Sequence, residues 1–110
     1  MSFLQLEDLP FAGMSHEFVG DDHGAPVSIY FVDAPPGRGP VLHTHPYEET
    51  VIVLEGTGRL RIGDEEREVK AGDIAVVPPN TPHRFVNSGT GQLRQIDIHA
   101  SPRFIQTDLE

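Results

Sequence analysis

The sequence contains no cysteine, and this absence removes several classes of architecture. A chain without cysteine has neither a disulfide framework nor a thiolate metal site, so any bound metal must be held by His, Asp or Glu. No apolar run approaches the length of a transmembrane helix, and the first ten residues, MSFLQLEDLP, lack a basic segment followed by an apolar one. We therefore expect a soluble cytoplasmic protein that is not a membrane protein.

Positive charge is also scarce. Eight Lys and Arg residues stand against 17 Asp and Glu residues, which gives a formal net charge of -9 at pH 7. Such a surface repels the phosphate backbone of a nucleic acid. We therefore expect no nucleic-acid partner.

Long helical patterns are missing as well, because 11 glycines and 10 prolines interrupt the 110 residues at short intervals. The intervening segments are short and several are rich in β-branched or aromatic residues, as in 27–33 (VSIYFVD). The pattern predicts one all-β domain over 1–110, an antiparallel barrel or jelly roll. In this domain 1–13 is an N-terminal arm or edge strand, 74–77 is a buried strand, and 101–110 is a C-terminal tail.

The stretch 37–56 (GRGPVLHTHPYEETVIVLEG) combines metal-binding side chains with an apolar run. If it is extended, side chains two residues apart point to the same face. His43, His45 and Glu49 then share a face, and two imidazoles with a carboxylate are typical of a metal site. The alternative is a polar surface strand with two solvated histidines. The unbroken apolar run 51–54 favours instead a strand that is covered on both faces.

Two glycine-bounded patterns resemble the two sequence motifs of the cupin superfamily. The first consists of Gly37, His43, His45, Glu49 and Gly56, and the second of Gly72, Pro78, Asn80, His83 and Asn87. The second pattern departs from the family at Asn80, where cupins have glycine. Asparagine tolerates a left-handed backbone better than other non-glycine residues, so we expect the turn to be retained.

The resemblance implies a cupin double-stranded β-helix, or jelly-roll barrel. It also implies that one divalent metal ion is held inside the barrel by His43, His45, Glu49 and His83. Three imidazoles and a carboxylate suit Fe, Mn, Ni, Zn, Co or Cu without selecting among them. The alternative is a barrel in which these four residues form hydrogen bonds only. No dinucleotide or phosphate-binding motif is visible, so we expect no other cofactor.

Two further residues are predicted to be catalytic, through proton transfer. Tyr47 shares the face of the predicted metal ligands, and His99 shares a face of the last long strand with Gln95 and Asp97. Each residue has a plainer alternative: Tyr47 fills the barrel, and His99 is a histidine of the barrel rim.

These features lead to two hypotheses. In the first, the protein is a metalloenzyme of dioxygenase, isomerase or decarboxylase type that acts on a small oxygenated organic molecule, as the resemblance implies. In the second, the barrel binds or senses a small ligand without turnover. Apolar strand faces, such as Ile52 with Leu54 or Ile96 with Ile98, need cover, and small cupins are commonly dimers, so we predict a homodimer.

Overall fold

Two antiparallel sheets enclose the interior of the protein. The computed structural model describes residues 3–110. Its strands are, in chain order, β1 (Phe11–Ala12), β2 (Ser15–Phe18), β3 (Ser28–Ala34), β4 (His43–Thr44), β5 (Glu49–Glu55), β6 (Thr57–Ile62), β7 (Glu65–Lys70), β8 (Ile74–Val77), β9 (His83–Asn87), β10 (Leu93–His99) and β11 (Thr107–Asp108). Within the described residues, helical structure is limited to two short 3-10 helices, Leu6–Asp8 and Gly20–Asp22. No helix in that part of the chain has the length and apolar character needed to cross a bilayer.

The strand order is that of a jelly roll. Six strands form sheet A in the order β1-β2-β3-β10-β5-β8, and five form sheet B in the order β11-β4-β9-β6-β7. The chain passes repeatedly from one sheet to the other, for example from β4 in sheet B to β5 in sheet A. All strand pairs are antiparallel. The predicted all-β, double-stranded β-helix fold is therefore confirmed.

The stretch that carries His43 and His45 is not one strand, so that part of the sequence interpretation is wrong. β4 ends at Thr44 in sheet B, and β5 begins at Glu49 in sheet A. Pro46 lies between them and has no N–H to donate to a ladder. The predicted alternation of buried side chains nevertheless continues through the interruption as far as Val53. The residues that share a face in the sequence thus all point inward, although they belong to two sheets.

The sequence predicts the solvent exposure of one edge strand correctly and that of another incorrectly. The charged strand β7 lies at the edge of sheet B, as expected for a solvent-facing strand. The apolar strand β8 was expected to be buried, and this is wrong: it lies at the edge of sheet A, where Ile74 is 66% and Val76 60% exposed. Its apolar side chains alternate between the interior and an uncovered outer face.

Both ends of the chain pair within the chain itself. β1 pairs with β2, and the predicted tail supplies β11, whose Thr107 lies opposite Thr44 of β4. The backbone N–H of Leu42 also donates to the side chain of Glu110 at 2.8 Å. Residues 1 and 2 of the predicted arm lie outside the described residues. The segment 101–110 therefore supplies the edge strand of sheet B next to β4.

The interior has an apolar end and a polar end. In the β5–β10 ladder, Val53 lies opposite Gln95, Val51 opposite Asp97, and Glu49 opposite His99. The apolar core consists of Val32, Ala34, Val51, Val53, Leu60, Val69, Phe85 and Leu93. Buried polar side chains gather towards the Glu49 end, and this end holds the candidate site.

Candidate metal centre

The four predicted metal ligands lie together in the interior. His43 on β4 is the direct neighbour of His83 on β9, whereas Glu49 begins β5 in the opposite sheet and His45 lies in the connection between the sheets. All four side chains are buried, and their nearest ligand atoms lie within 4.8 Å of one another. The donors therefore come from both walls of the barrel and converge in the space between them.

The loop before β9 is hydrogen-bonded to the backbone of a residue in this cluster. Asn80 has a φ of 60°, the left-handed conformation that the sequence predicts for it. In this conformation its backbone N–H donates to the carbonyl oxygen of His45 at 2.7 Å. The turn thus positions the backbone of one metal-ligand candidate while it leads into another, His83.

Backbone carbonyls determine the tautomer of all three imidazoles. Because a carbonyl oxygen only accepts hydrogen bonds, each Nδ1 in contact with one must carry a hydrogen. The Nδ1–H groups donate over 2.7–2.8 Å, from His43 to Val41, from His45 to Ile105 and from His83 to Thr81. In each neutral ring the lone pair is then on Nε2, which is the tautomer that binds a metal through Nε2.

The inward-facing atoms fit a cation. The Nε2 atom of His83 is 3.0 Å from Oε1 of Glu49, and that of His45 is 3.4 Å from the same oxygen. The Nε2 atom of His45 is fully buried and has no hydrogen-bond partner. Lone pairs of several imidazoles and a carboxylate that face one another repel unless a positive charge lies among them. The donor set thus fits a divalent metal ion.

The pKa values of these groups show that the cluster attracts positive charge. Burial opposes ionisation of Glu49, but its contacts with the imidazoles of His45 and His83 outweigh burial and hold the pKa of Glu49 well below its usual range. Burial also lowers the pKa of His83, but in the protonated ring the hydrogen bonds from Nε2–H to Glu49 and from Nδ1–H to Thr81 outweigh burial and raise that pKa. The pKa of His43 is lowered, mainly by burial. Protons and a metal ion therefore compete for this cluster.

Tyr47 and His99, the two predicted catalytic residues, are hydrogen-bonded to each other. The Oη atom of Tyr47 lies 2.8 Å from Nδ1 of His99. Oη also accepts a hydrogen bond from the backbone N–H of Ile105 at 3.4 Å, while the carbonyl of Ile105 takes the Nδ1–H of His45. The hydroxyl hydrogen of Tyr47 therefore goes to Nδ1 of His99, so the ring proton of His99 is on Nε2. That atom is 3.6 Å from Oε1 of Glu49.

This pair is neutral at physiological pH. Burial raises the pKa of Tyr47 to about 12 and lowers the pKa of His99 to about 4. His99 is only 4% exposed, so it is not a solvated histidine. His99 lines the cavity next to the metal-ligand cluster, whereas Tyr47 lies behind it and does not. Tyr47 is therefore a residue that positions His99.

A cavity of about 220 Å³ opens beside the four metal-ligand candidates. Its apolar wall includes Val32, Val51, Leu60, Phe85 and Phe104. Asp97 also lines it, and Gln95 donates a hydrogen bond to Oδ1 of Asp97 at 2.8 Å. Burial raises the pKa of Asp97 well above its usual value. Gln95 itself is buried behind the cavity wall.

Two cavity residues carry no signal in the sequence. The ring centroid of Tyr30, on β3, lies 4.8 Å from that of His99, and the ring of Phe104, in the C-terminal segment, lies 5.8 Å from it. Tyr30 occupies an inward position of a strand that is otherwise apolar, so it resembles a core residue. Phe104 belongs to a segment without periodicity, and only the three-dimensional path of the chain brings it to the cavity.

Residues 30–99 match the cupin domain family. The chain is a cupin. An uncharacterized protein of Methanocaldococcus jannaschii, MJ1618, is 38% identical to this cupin over 72 residues, which are 64% of this chain and 58% of the relative. The match over residues 30–99 confirms the family resemblance seen in the two motifs.

Solved structures share the fold of this cupin. A cupin-like protein of Thermotoga maritima superposes with a TM-score of 0.77 at 28% identity, covering 86% of this chain and 74% of that one. Oxalate oxidase in complex with the substrate analogue glycolate gives a TM-score of 0.70 at 25% identity, covering 76% of this chain and 46% of the oxidase. This cupin thus spans about three-fifths of its Methanocaldococcus relative and less than half of the oxidase.

Proposed function

We propose that this cupin is a divalent-metal-dependent enzyme that acts on a small oxygenated organic molecule, with a reaction of dioxygenase, isomerase or decarboxylase type. One observation carries the proposal: three imidazoles with inward Nε2 lone pairs and the carboxylate of Glu49 converge at the wall of a cavity. A metal ion held there would supply Lewis-acid chemistry by polarising an oxygen of the bound molecule. The similarity to oxalate oxidase, an enzyme, supports the same class of function.

The residues around the cluster support turnover rather than binding alone. His99 presents Nε2–H to the cavity, and the hydroxyl of Tyr47 keeps that proton on Nε2. In this state His99 donates a hydrogen bond to an oxygen of the bound molecule and stabilises the negative charge that develops there. The apolar wall, including Phe85 and Val51, excludes water from the reaction.

The test begins with elemental analysis of protein purified without added metal, which identifies the native ion. Oxygen uptake and substrate depletion are then measured for the metal-loaded protein against a panel of enols and keto acids. We expect turnover of at least one compound by the wild type and none by His45→Ala, because that substitution removes a ligand. Ligand-induced thermal stabilisation without product would favour the non-catalytic binding or sensing cupin. Full turnover by metal-free His45→Ala would contradict the proposal.

We also propose that the outer face of sheet A forms the interface of a homodimer. The apolar side chains on the outer face of β5, β8 and β10 are Ile52, Leu54, Ile74, Val76, Ile96 and Ile98, which alternate with inward-pointing neighbours. Ile74, Ile52 and Ile96 lie side by side in one row across three strands. Leu54 is 51% exposed, in addition to the largely exposed β8. A contiguous apolar sheet face is self-complementary about a two-fold axis, so a second copy covers it.

A further inference from the structure

We propose that the cavity selects a ligand with no more than one negative charge, whose end away from the metal-ligand cluster carries a hydroxyl that pairs with Asp97. This inference rests on the proposed function and concerns the ligand of the same site. It predicts discrimination against dicarboxylates. Three features support it: the charges of the lining side chains, the position of Asp97 relative to the metal-ligand cluster, and the size of the cavity.

The charges of the described lining residues leave no place for a second carboxylate. The lining includes the acids Glu49 and Asp97 but no lysine or arginine. A divalent ion together with Glu49 leaves one positive charge, and Asp97 adds either none or one negative charge. A ligand that balances this total is a monoanion or is neutral. A dianion would leave excess negative charge buried without a partner, which is costly in a medium of low polarity.

Asp97 lies further towards the apolar end of the barrel than the metal-ligand cluster does. Glu49 and His99 are opposite each other in the β5–β10 ladder. Asp97 comes two residues before His99 in β10 and lies opposite Val51. Two residues of a strand span about 7 Å. The ligand therefore meets Asp97 with the end that is remote from the cluster.

The contacts of Asp97 favour a hydroxyl at that end. Gln95 donates to Oδ1, which leaves Oδ2 for a partner in the cavity. A hydroxyl both donates and accepts, so it pairs with the carboxyl group of Asp97 in either protonation state. A second carboxylate pairs with it in only one of them and repels it in the other.

The cavity volume limits the length of the ligand. A volume of about 220 Å³ corresponds to about seven water molecules. This space fits a linear molecule with a carboxylate at one end, three methylene groups and a hydroxyl at the other end. Such a molecule also spans the distance from the metal-ligand cluster to Asp97. This molecule, 4-hydroxybutanoate, and the dicarboxylate succinate are similar in length and differ at the far end, so they form a matched pair of probes.

The experiment measures the affinity of metal-loaded wild-type protein for both probes by isothermal titration calorimetry. We expect 4-hydroxybutanoate to bind at least about tenfold more tightly than succinate, because only succinate brings an unpaired charge to Asp97. In Asp97→Asn the carboxyl group is replaced by an amide that also donates, so the two affinities should come within about threefold of each other. Glu55→Gln, an equal change of charge at an exposed position of β5, should keep the wild-type ratio.

Equal or tighter binding of succinate by the wild type would overturn the inference, as would an unchanged ratio in Asp97→Asn. The metal content of the same samples separates this inference from the proposed function. Metal-loaded protein that prefers succinate contradicts the ligand class alone. Protein that does not retain a divalent metal through the His and Glu cluster contradicts the proposed function and, with it, the inference.

Discussion

The two faces of sheet A are composed in opposite ways. The inner face, which belongs to the barrel interior, carries Glu49, Asp97 and His99, all of them buried. The outer face, which lies towards solvent, carries the most exposed aliphatic side chains of the two sheets, Ile74 and Val76. Polar groups are normally outside and large apolar groups inside. In the function proposed above, each face has a partner outside the polypeptide: a metal ion with its ligand for the inner face and a second subunit for the outer face.

The difference shows what each partner must be. Buried lone pairs and carboxylates are stabilised by a cation and by a small polar ligand, because both pair with them at short range. An exposed apolar sheet is stabilised by another apolar surface of similar area. The inner face thus favours a metal and a metabolite, and the outer face favours a second protein subunit. Variants on one face should leave the property of the other unchanged.

The largest expected effect comes from removing the carboxylate of the inner face. Glu49→Ala takes away the one negative charge among the four ligand candidates, and we expect metal affinity to fall by about 100-fold or more. Competition with a chromophoric chelator measures this affinity. Glu55→Ala, on the exposed end of the same strand, is the matched control and should bind metal like the wild type. Metal affinity within a few-fold of wild type in Glu49→Ala would exclude Glu49 as a ligand.

On the outer face, the double substitution Ile74→Glu with Val76→Glu should convert the dimer to a monomer. Two charges per subunit would be buried against an apolar surface, and a 100-fold weaker dimer corresponds to only about 2.7 kcal/mol. Size-exclusion chromatography with light scattering measures the molar mass. Val86→Glu, at a half-exposed apolar position of β9 in sheet B, should remain dimeric. A monomeric wild type would refute the interface.

Sequence patterns sufficed where the information is local. The spacing of the histidines and glutamate in 43–49 predicts which side chains point inward, because alternation persists through the break at Pro46. The left-handed backbone of Asn80 is predicted from the glycine that the cupin motif has at this position and from the tolerance of asparagine for that conformation. The hydrophobic pattern of 74–77 is ambiguous, since an apolar strand occurs both in a core and at an interface. The prediction of a buried strand therefore failed there.

Other features depend on contacts between distant segments. The carbonyl of Ile105 fixes the tautomer of His45, and the backbone N–H of the same residue contacts Tyr47. These residues are about 60 positions apart, and no pattern in the C-terminal segment indicates that it returns to the site. The hydrogen-bonded pair of Tyr47 and His99 likewise requires the pairing of β5 with β10 in sheet A. Sequence analysis therefore identified the ligand candidates better than the groups that orient them.

The third prediction concerns Tyr47 on the inner side. Tyr47→Phe removes the donor to Nδ1 of His99 and the acceptor of the Ile105 N–H, which should cost about 1–3 kcal/mol of stability. It should also allow the His99 ring to populate both tautomers, whereas the wild-type ring carries its proton on Nε2. Nitrogen-15 NMR of the histidine rings measures the tautomer. Metal content should stay at the wild-type level, because Tyr47 is not a ligand.

Tyr30→Phe provides the control for this experiment, since it removes the hydroxyl of another tyrosine beside His99 while leaving the contact between Tyr47 and His99 in place. It should leave the tautomer of His99 unchanged. A single Nε2–H tautomer in Tyr47→Phe would show that another group orients His99. The proposed role of Tyr47 would then be lost, although the metal cluster would not be affected.

The smallest expected effect is that of a substitution at Asp97. Unlike the other substitutions, it should make the protein more stable. Burial raises the pKa of Asp97 above its value in the unfolded chain, so the folded state holds more protons than the unfolded state between these two values. Stability must therefore decrease as pH rises through this range. Asp97→Asn removes that dependence and should stabilise the chelator-treated protein at pH 8 by about 1 kcal/mol, the scale of an unpaired buried polar group. Urea denaturation at several pH values measures the free energy of unfolding.

The pH dependence distinguishes this cause from a general gain in packing. The advantage of Asp97→Asn over the wild type should shrink as pH falls towards the ordinary range of an aspartate pKa, because the wild-type side chain is then neutral in both states. Glu55→Gln, which removes an exposed charge, should show no such trend. A variant that is less stable than the wild type at pH 8 would mean that ionised Asp97 is stabilised in the folded interior. The inner face would then hold a balanced set of charges even without a cation, and the contrast between the two faces of sheet A would be weaker.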